Sequence, residues 1–179
     1  VKSKGDALHQ AVQQLLPKGY DAFVVFDADN VADPDFLARM NDAFVSGARV
    51  CKSRMMTSNA AASAVAGCYG LYFAAFDWAF NRPRAALGLS AKLVGTGFAV
   101  HREVPEALGG WNTRTIAEDA EFAAQCARLG IRVHWVRDAL TWDESPTAFR
   151  TSLCQRKRWC SGVMQAARQE VGRLWAQDS

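Results

Sequence analysis

Histidine is scarce and cysteine forms no recognisable pattern. His9, His101 and His134 lie far apart, so a histidine metal cage has no support. The five cysteines (Cys51, Cys68, Cys126, Cys154, Cys160) are odd in number and include no C-x-x-C pair. That argues against a disulfide framework or a zinc knuckle and points to a reducing compartment. No secretory leader pattern opens the chain, which begins Val1-Lys2-Ser3-Lys4. Nor does any stretch read as a membrane span. The nearest approach, residues 59–80, is rich in alanine and carries Asp77, which suits a buried helix instead. Disordered, collagen-like and low-complexity classes are excluded by a composition that is 50% hydrophobic and 22% charged.

What remains is one globular domain: 179 residues match about one domain length, and a chain of this size buries roughly two-thirds of its unfolded surface. Its net charge of +3 is unevenly spread. Residues 147–179 hold six cations (Arg150, Arg156, Lys157, Arg158, Arg168, Arg173) against Glu170 and Asp178, a local +4, so residues 1–146 carry −1. A basic tail suits phosphates, acidic lipid or nucleic acid, and charge alone does not choose among them. Nucleic acid is disfavoured because the rest of the chain has no basic patch.

Apolar periodicity predicts a helix over residues 7–16, with Leu8, Val12, Leu15 and Leu16 in phase and Pro17-Lys18-Gly19 as its stop. Ala22-Phe23-Val24-Val25-Phe26 reads as a strand buried on both faces, as in a parallel sheet under helices. Asp33-Pro34 offers a cap and a first helical residue, with Phe36, Leu37, Met40 and Phe44 as the apolar face and Gly47 as terminator. Short strands are expected over residues 49–52 and 97–101, and a turn at Gly109-Gly110. A helix follows over residues 118–129, with Phe122, Cys126 and Leu129 on one side and Gly130 as its stop. Ile131, Val133 and Trp135 then alternate as a half-buried strand, and Ser145-Pro146 opens a last helical region. Alternating strands and helices imply an α/β architecture.

Ligands bind at the carboxyl ends of strands in open α/β sheets. Asp27 and Asp29 stand at such an end and, two apart on an extended chain, are expected to share a face. Adjacent carboxylates repel unless a cation or a shared proton intervenes. Mg²⁺ or Mn²⁺, bound by one or two carboxylates plus substrate phosphates, would fit, and this predicts a nucleotide or sugar-phosphate substrate. The segment Phe26-Asp27-Ala28-Asp29-Asn30-Val31 also resembles the first motif of haloacid dehalogenase-like phosphatases, with Asp27 as nucleophile and Asp29 as acid/base. That family's later motifs belong at strand ends, whereas Glu118-Asp119 follows Asn112-Thr113-Arg114-Thr115, which is not a strand.

Glu118 and Asp119 at a helix start gain from the helix dipole, and a carboxylate within reach of an acceptor hydroxyl can also take its proton. Gln155, Arg158 and Trp159 (i, i+3, i+4) share one helix face. An amide, a guanidinium and an indole so placed suit a sugar ring and a diphosphate, the indole stacking and the guanidinium forking to oxygens.

These segments together resemble the processive family 2 glycosyltransferases, such as cellulose, hyaluronan and poly-N-acetylglucosamine synthases. The motifs are Lys4-Gly5-Asp6-Ala7-Leu8, Asp27-Ala28-Asp29, Gly109-Gly110-Trp111 followed by Glu118-Asp119, and Gln155-x-x-Arg158-Trp159, the most specific of the four. The resemblance implies a GT-A fold, a mostly parallel sheet flanked by helices, with a catalytic core over residues 1–146 and a basic helical region over residues 147–179 suited to a membrane interface. It implies a UDP-sugar donor, a growing glycan or lipid-linked acceptor, and Mg²⁺ or Mn²⁺ held by Asp29 and Asp27. Asp119 is implied as general base with Glu118 beside it. Asp27, Gln155, Arg158 and Trp159 are implied in substrate binding, joined on weaker grounds by Lys4 and by Thr96 of Gly95-Thr96-Gly97. Two departures stand out. Ala117 occupies a position where the family commonly has threonine, and the family's first nucleotide-binding acid would fall before Val1. The expectation is therefore a soluble excerpt of an inner-membrane enzyme whose catalytic domain faces the cytoplasm, with its opening strands upstream. The reaction expected is a metal-dependent, inverting single displacement. A non-catalytic membrane-surface or glycan-binding module is the remaining alternative.

Overall fold

The computed structural model describes residues 3–175, and a five-stranded sheet runs through its centre in the order β1-β4-β3-β5-β2. In chain order the elements are α1 (Lys4–Leu15), β1 (Ala22–Val25), β2 (Val31–Ala32), α2 (Phe36–Val45), β3 (Val50–Thr57) and α3 (Ala64–Phe76). A wide π-type turn (Asp77–Asn81) leads into α4 (Arg82–Ala86), followed by β4 (Phe98–His101), α5 (Glu103–Leu108), α6 (Glu118–Arg128), β5 (Val133–Asp143) and α7 (Phe149–Trp175). The sheet is mixed, which corrects the expectation of a mostly parallel one. Only β3 and β5 run parallel, while β4 is antiparallel to both β1 and β3, and β2 is antiparallel to β5.

Alternation along the central strands divides the core in two. Val50, Phe98, Val100 and Val133 pack with Val104, Trp111, Phe122 and Cys126 on one side. Cys51, Ala99 and Ala139 pack with Phe36, Met40 and Ala48 on the other. Trp111 lies flat on Phe122, with ring centroids 3.9 Å apart, and its indole N–H donates to Thr113 Oγ1 at 3.0 Å.

The register of β3 against β5 is broken. Ser53 faces Val136 but Arg54 faces Leu140, so β5 carries three extra residues. An odd insertion reverses the faces beyond it. Asp143, which simple alternation from Val133 would turn to the Val50 side, therefore shares a face with Ser53, Met55 and Thr57.

Four further expectations need correction. β1 is an edge strand rather than one buried on both faces: among the described residues it pairs only with β4, and Val24 and Phe26 are exposed. The helical run within residues 59–80 is not buried. It packs through Ala66 and Tyr69, which are buried, with Gly67 and Gly70 close against Ala60 and Thr57, and leaves Leu71 and Trp78 facing outward. Leu37 and Leu129 also lie outside the core, because the helix turns that bury Phe36 and Phe122 point them away. Asp33 and Pro34 precede α2 instead of beginning it; the Asp33 carboxylate accepts the Asp35 N–H at 2.9 Å. No helix among the described residues is long and apolar enough to cross a membrane. Of the charges read in the basic tail, Asp178 and the side chain of Arg173 lie outside the described residues.

Candidate active site

Four chain segments converge on one cleft of about 320 Å³. The first arrives on α1. Ser3 caps that helix by accepting the Asp6 N–H at 3.1 Å. Gly5 lets the helix lie against Thr113, since a methyl group there would come within 2.8 Å of the Thr113 hydroxyl. Lys4 is thereby aimed into the cleft, where its ammonium donates to the Asp27 carboxylate and to Gly95 O at 2.5 Å, with Glu118 Oε1 at 3.6 Å. One cation bridges both acidic segments.

The second segment follows β1. Asp27 and Asp29 are not on an extended chain as expected; residues 27–30 form a turn closed by the Asn30 N–H on Asp27 O at 3.1 Å. Asp27 lines the cleft, whereas Asp29 is exposed and is not part of its wall. Thr96 accepts the Asp27 N–H at 2.8 Å and donates to Asn30 Oδ1, and Asn30 Nδ2 donates to Asp143 Oδ1 at 3.0 Å. Asn30 thus ties the acidic turn to the end of β5. Burial, with Asp29 and Asp27 facing it, pushes the Asp143 carboxyl up to about 6.

The third segment is the start of α6. A methyl group on Gly95 would lie 3.4 Å from both Glu118 Oε1 and Lys4 Nζ, and 3.8 Å from Asp119 Oδ2, so these groups ring a bare stretch of backbone. Burial raises the carboxyls of Asp119 and of Glu118, the latter also through Asp119 beside it. Gly97 (φ +62°) passes between β3 and β5, where any Cβ would sit 2.6 Å from Ser53 Oγ.

The fourth segment is α7. Gln155, Arg158 and Trp159 all line the cleft on one helix face, as their spacing predicts. Tyr69 of α3 donates its hydroxyl to Gln155 Oε1 at 3.0 Å, accepts from Ser152 at 3.1 Å and meets Trp159 edge-on at 6.1 Å. Gly162 seats α7 on the entry to α6: a methyl group there would lie 2.7 Å from Ala117 Cβ. That close approach gives a steric reason for alanine at position 117.

Of the residues named from sequence, Lys4, Asp27, Thr96, Glu118, Asp119, Gln155, Arg158 and Trp159 share this cleft; Asp29 stands apart, beside Asp143. Sequence reasoning missed Asp143, Asn30, Tyr69, Asp77 and Lys52. Only Asp143 carried a signal, as a carboxylate at the end of a strand. Lys52 is almost wholly buried under the cleft, its ammonium donating to Ser53 Oγ at 3.2 Å and Gly97 O at 3.3 Å, and burial pulls it down to about 8 against the attraction of Asp77, Asp143 and Asp119. Among the described residues no group of three or more His, Cys, Asp or Glu side chains is placed to hold a metal ion. Burial, and after it the charges of Asp29 and Asp27, raises the Asp143 carboxyl, so added positive charge is favoured beside this turn, which fits a cation held by one or two carboxylates and completed by substrate oxygens and water. Glu118 and Asp119 open a helix rather than end a strand, which removes the support for the phosphatase alternative.

Comparison with known proteins agrees with this geometry. The family model described as glycosyl transferase family group 2 matches residues 22–177. A probable glycosyltransferase, YdaM of Bacillus subtilis, is 31% identical over 166 residues, 90% of this chain and 38% of its own length. Glucomannan 4-beta-mannosyltransferase 7 of Arabidopsis thaliana is 24% identical over 177 residues, 96% of this chain and 31% of its own length. The chain thus spans about a third of the length of these relatives. Among solved structures, the mannosyltransferase PcManGT of Pyrobaculum calidifontis, in complex with GDP-Man and Mn²⁺, superposes with a TM-score of 0.69 at 20% identity over 96% of this chain and 44% of its own. Glucosyl-3-phosphoglycerate synthase of Mycobacterium tuberculosis, with Mn²⁺ and UDP-glucose, gives 0.50 at 18% identity over 92% of this chain and 54% of its own. The fold is GT-A-like, and the chain belongs to glycosyltransferase family group 2.

Proposed function

We propose that this chain carries the catalytic centre of an inverting transferase that moves a sugar from a nucleoside diphosphate donor to a glycan or lipid-linked acceptor. The observation that carries this reading is the convergence of Asp27, Glu118–Asp119 and Gln155/Arg158/Trp159 on one cleft. Asp119 is the general base: its raised carboxyl makes the ionised form a better proton acceptor for an attacking hydroxyl. Arg158 supplies fixed positive charge toward the departing diphosphate, and Trp159 offers an aromatic wall to a sugar ring. Asp27 and Asp29, with Asp143 facing them, would hold Mg²⁺ or Mn²⁺, and such an ion supplies Lewis-acid charge for the leaving group. A UDP-sugar is the donor implied by the motifs; related proteins solved with GDP-Man and UDP-glucose make both worth assaying. Residues 1–146 form the core in this reading and residues 147–179 a helical arm.

The same reading places the whole enzyme at the inner membrane, with its catalytic domain in the cytoplasm. It is supported by exposed apolar side chains on the outer sides of two neighbouring elements, Leu71 and Trp78 near α3 and Phe149, Leu153 and Met164 on α7. The decisive experiment is turnover by the full-length protein with UDP- and GDP-sugars. Asp119→Asn is expected to lower it about 10²-fold or more, the scale of a lost general base. Its acid limb is expected above the ordinary aspartate value, because a raised carboxyl must lose its proton to act. Normal turnover in the variant refutes the assignment.

A further inference from the structure

The cleft also holds a carboxylate, Asp77, that the proposed chemistry does not use. The helical run from α3 to α4 is interrupted by the π-type turn Asp77–Asn81, and such turns often mark functional sites. Within it, Asn81 Nδ2 donates to Asp77 Oδ1 at 2.7 Å, and Asn81 Oδ1 accepts the Lys92 N–H at 3.1 Å. Asp77 is therefore pinned to the loop that leads to Gly95-Thr96-Gly97. Its other oxygen has a long contact of 4.0 Å to Arg54 Nε, which leaves lone pairs of Oδ2 for another donor. The Asp77 side chain is 14% exposed, and the residue lines the cleft together with Asn81, Tyr72, Phe73 and Phe76. Lys92 caps the Phe76 ring from 5.0 Å; burial raises the Asp77 carboxyl above its ordinary value, and the Asn81 hydrogen bond with the charges of Lys52 and Arg54 offsets part of that rise.

A pinned carboxylate beside aromatic rings, in the same cleft as the proposed base, is suited to a neutral sugar: the rings take its apolar face and the carboxylate accepts from its hydroxyls. We infer that Asp77 recognises hydroxyl groups of the acceptor sugar and helps set acceptor specificity. This rests on the transferase reading above. Asp77 and Asn81 are four apart, the spacing at which helical side chains meet, and the π-type turn between them is closed by the Arg82 N–H on Asp77 O.

The test uses the full-length enzyme and two rates: donor hydrolysis without acceptor, and transfer to mannobiose, cellobiose or chitobiose. Asp77→Asn keeps an oxygen for Asn81 and so preserves the local bond. It is expected to raise KM for the preferred disaccharide by about 10-fold or more, the scale of a hydrogen bond to a charged group, with donor KM and donor hydrolysis within about twofold of wild type. Asp77→Glu, which keeps the charge but moves it, is expected to change the ranking of the three disaccharides. An unchanged acceptor KM in Asp77→Asn overturns the inference, as does a parallel fall in donor hydrolysis, which would mark a residue serving the donor or the fold. Donor hydrolysis by the wild type that none of the three disaccharides diverts into transfer overturns it too, while leaving the transferase reading standing. Failure of that broader reading looks different: no donor is hydrolysed or transferred by the wild type at all.

Discussion

Asp143 offers a measurement that depends on the electrostatics of the acidic turn and on nothing else in the proposed reaction. Its carboxyl ordinarily loses a proton near 3.8 but holds it to about 6 here, because burial and the nearby Asp29 and Asp27 disfavour its charge. Between those two values the native state binds more protons than the unfolded chain, so this residue's contribution to stability is lost as pH rises through the window. A shift of about two units corresponds to roughly 3 kcal/mol at full strength, and solvent screening of a half-buried group reduces that to about 1–2 kcal/mol. Asp143→Asn removes the charge and still offers an oxygen to Asn30. The variant should match wild type near pH 4 and exceed it near pH 7, by about 3–6 °C in midpoint for a chain of this length. Paired thermal melts from pH 4 to pH 7.5 read the difference directly. A constant offset at every pH, or a variant less stable at pH 7, refutes the picture of a carboxyl held protonated by burial and its acidic neighbours.

Two further outcomes follow from the same geometry. Mn²⁺ should raise the melting midpoint of wild type at pH 7, and the increment should shrink in Asp29→Asn, since a cation binding only the folded site stabilises by mass action; equal increments in both proteins would place the ion elsewhere. Gly162→Ala should lower the midpoint by several degrees and reduce turnover, because the new methyl group would stand 2.7 Å from Ala117 Cβ and lever α7 from α6. Overpacking of this kind costs about 1–3 kcal/mol, more than the roughly 1 kcal/mol that alanine gains over glycine in a helix. An unchanged midpoint would mean that the α6–α7 seam yields freely.

Local chemistry made much of this molecule legible before its coordinates. Glycines with positive φ stop their elements at Gly47, Gly109 and Gly130, where sequence placed them. The i, i+3, i+4 spacing put Gln155, Arg158 and Trp159 on one wall of the cleft because a helix has a fixed period. What escaped was set by non-local pairing. The direction of β4 depends on which strands flank it, so the mixed sheet was not readable from apolar runs. The odd insertion in β5, which aims Asp143 at the acidic turn, leaves no trace in alternation over residues 131–135. Lys52 looks like an ordinary strand cation until β3 is enclosed by β4 and β5. The Ala- and Gly-rich run read as buried because its composition is apolar; it buries Ala66 and Tyr69 but leaves Leu71 and Trp78 exposed.

The free flank of β1 has a practical consequence. Among the described residues β1 has a sheet neighbour on one side only, and a strand edge of this kind, with Val24 and Phe26 exposed beside it, is a template on which another extended chain can add. Produced by itself, this segment should self-associate as its concentration rises, and a lysine substituted for Val24 should keep it dispersed.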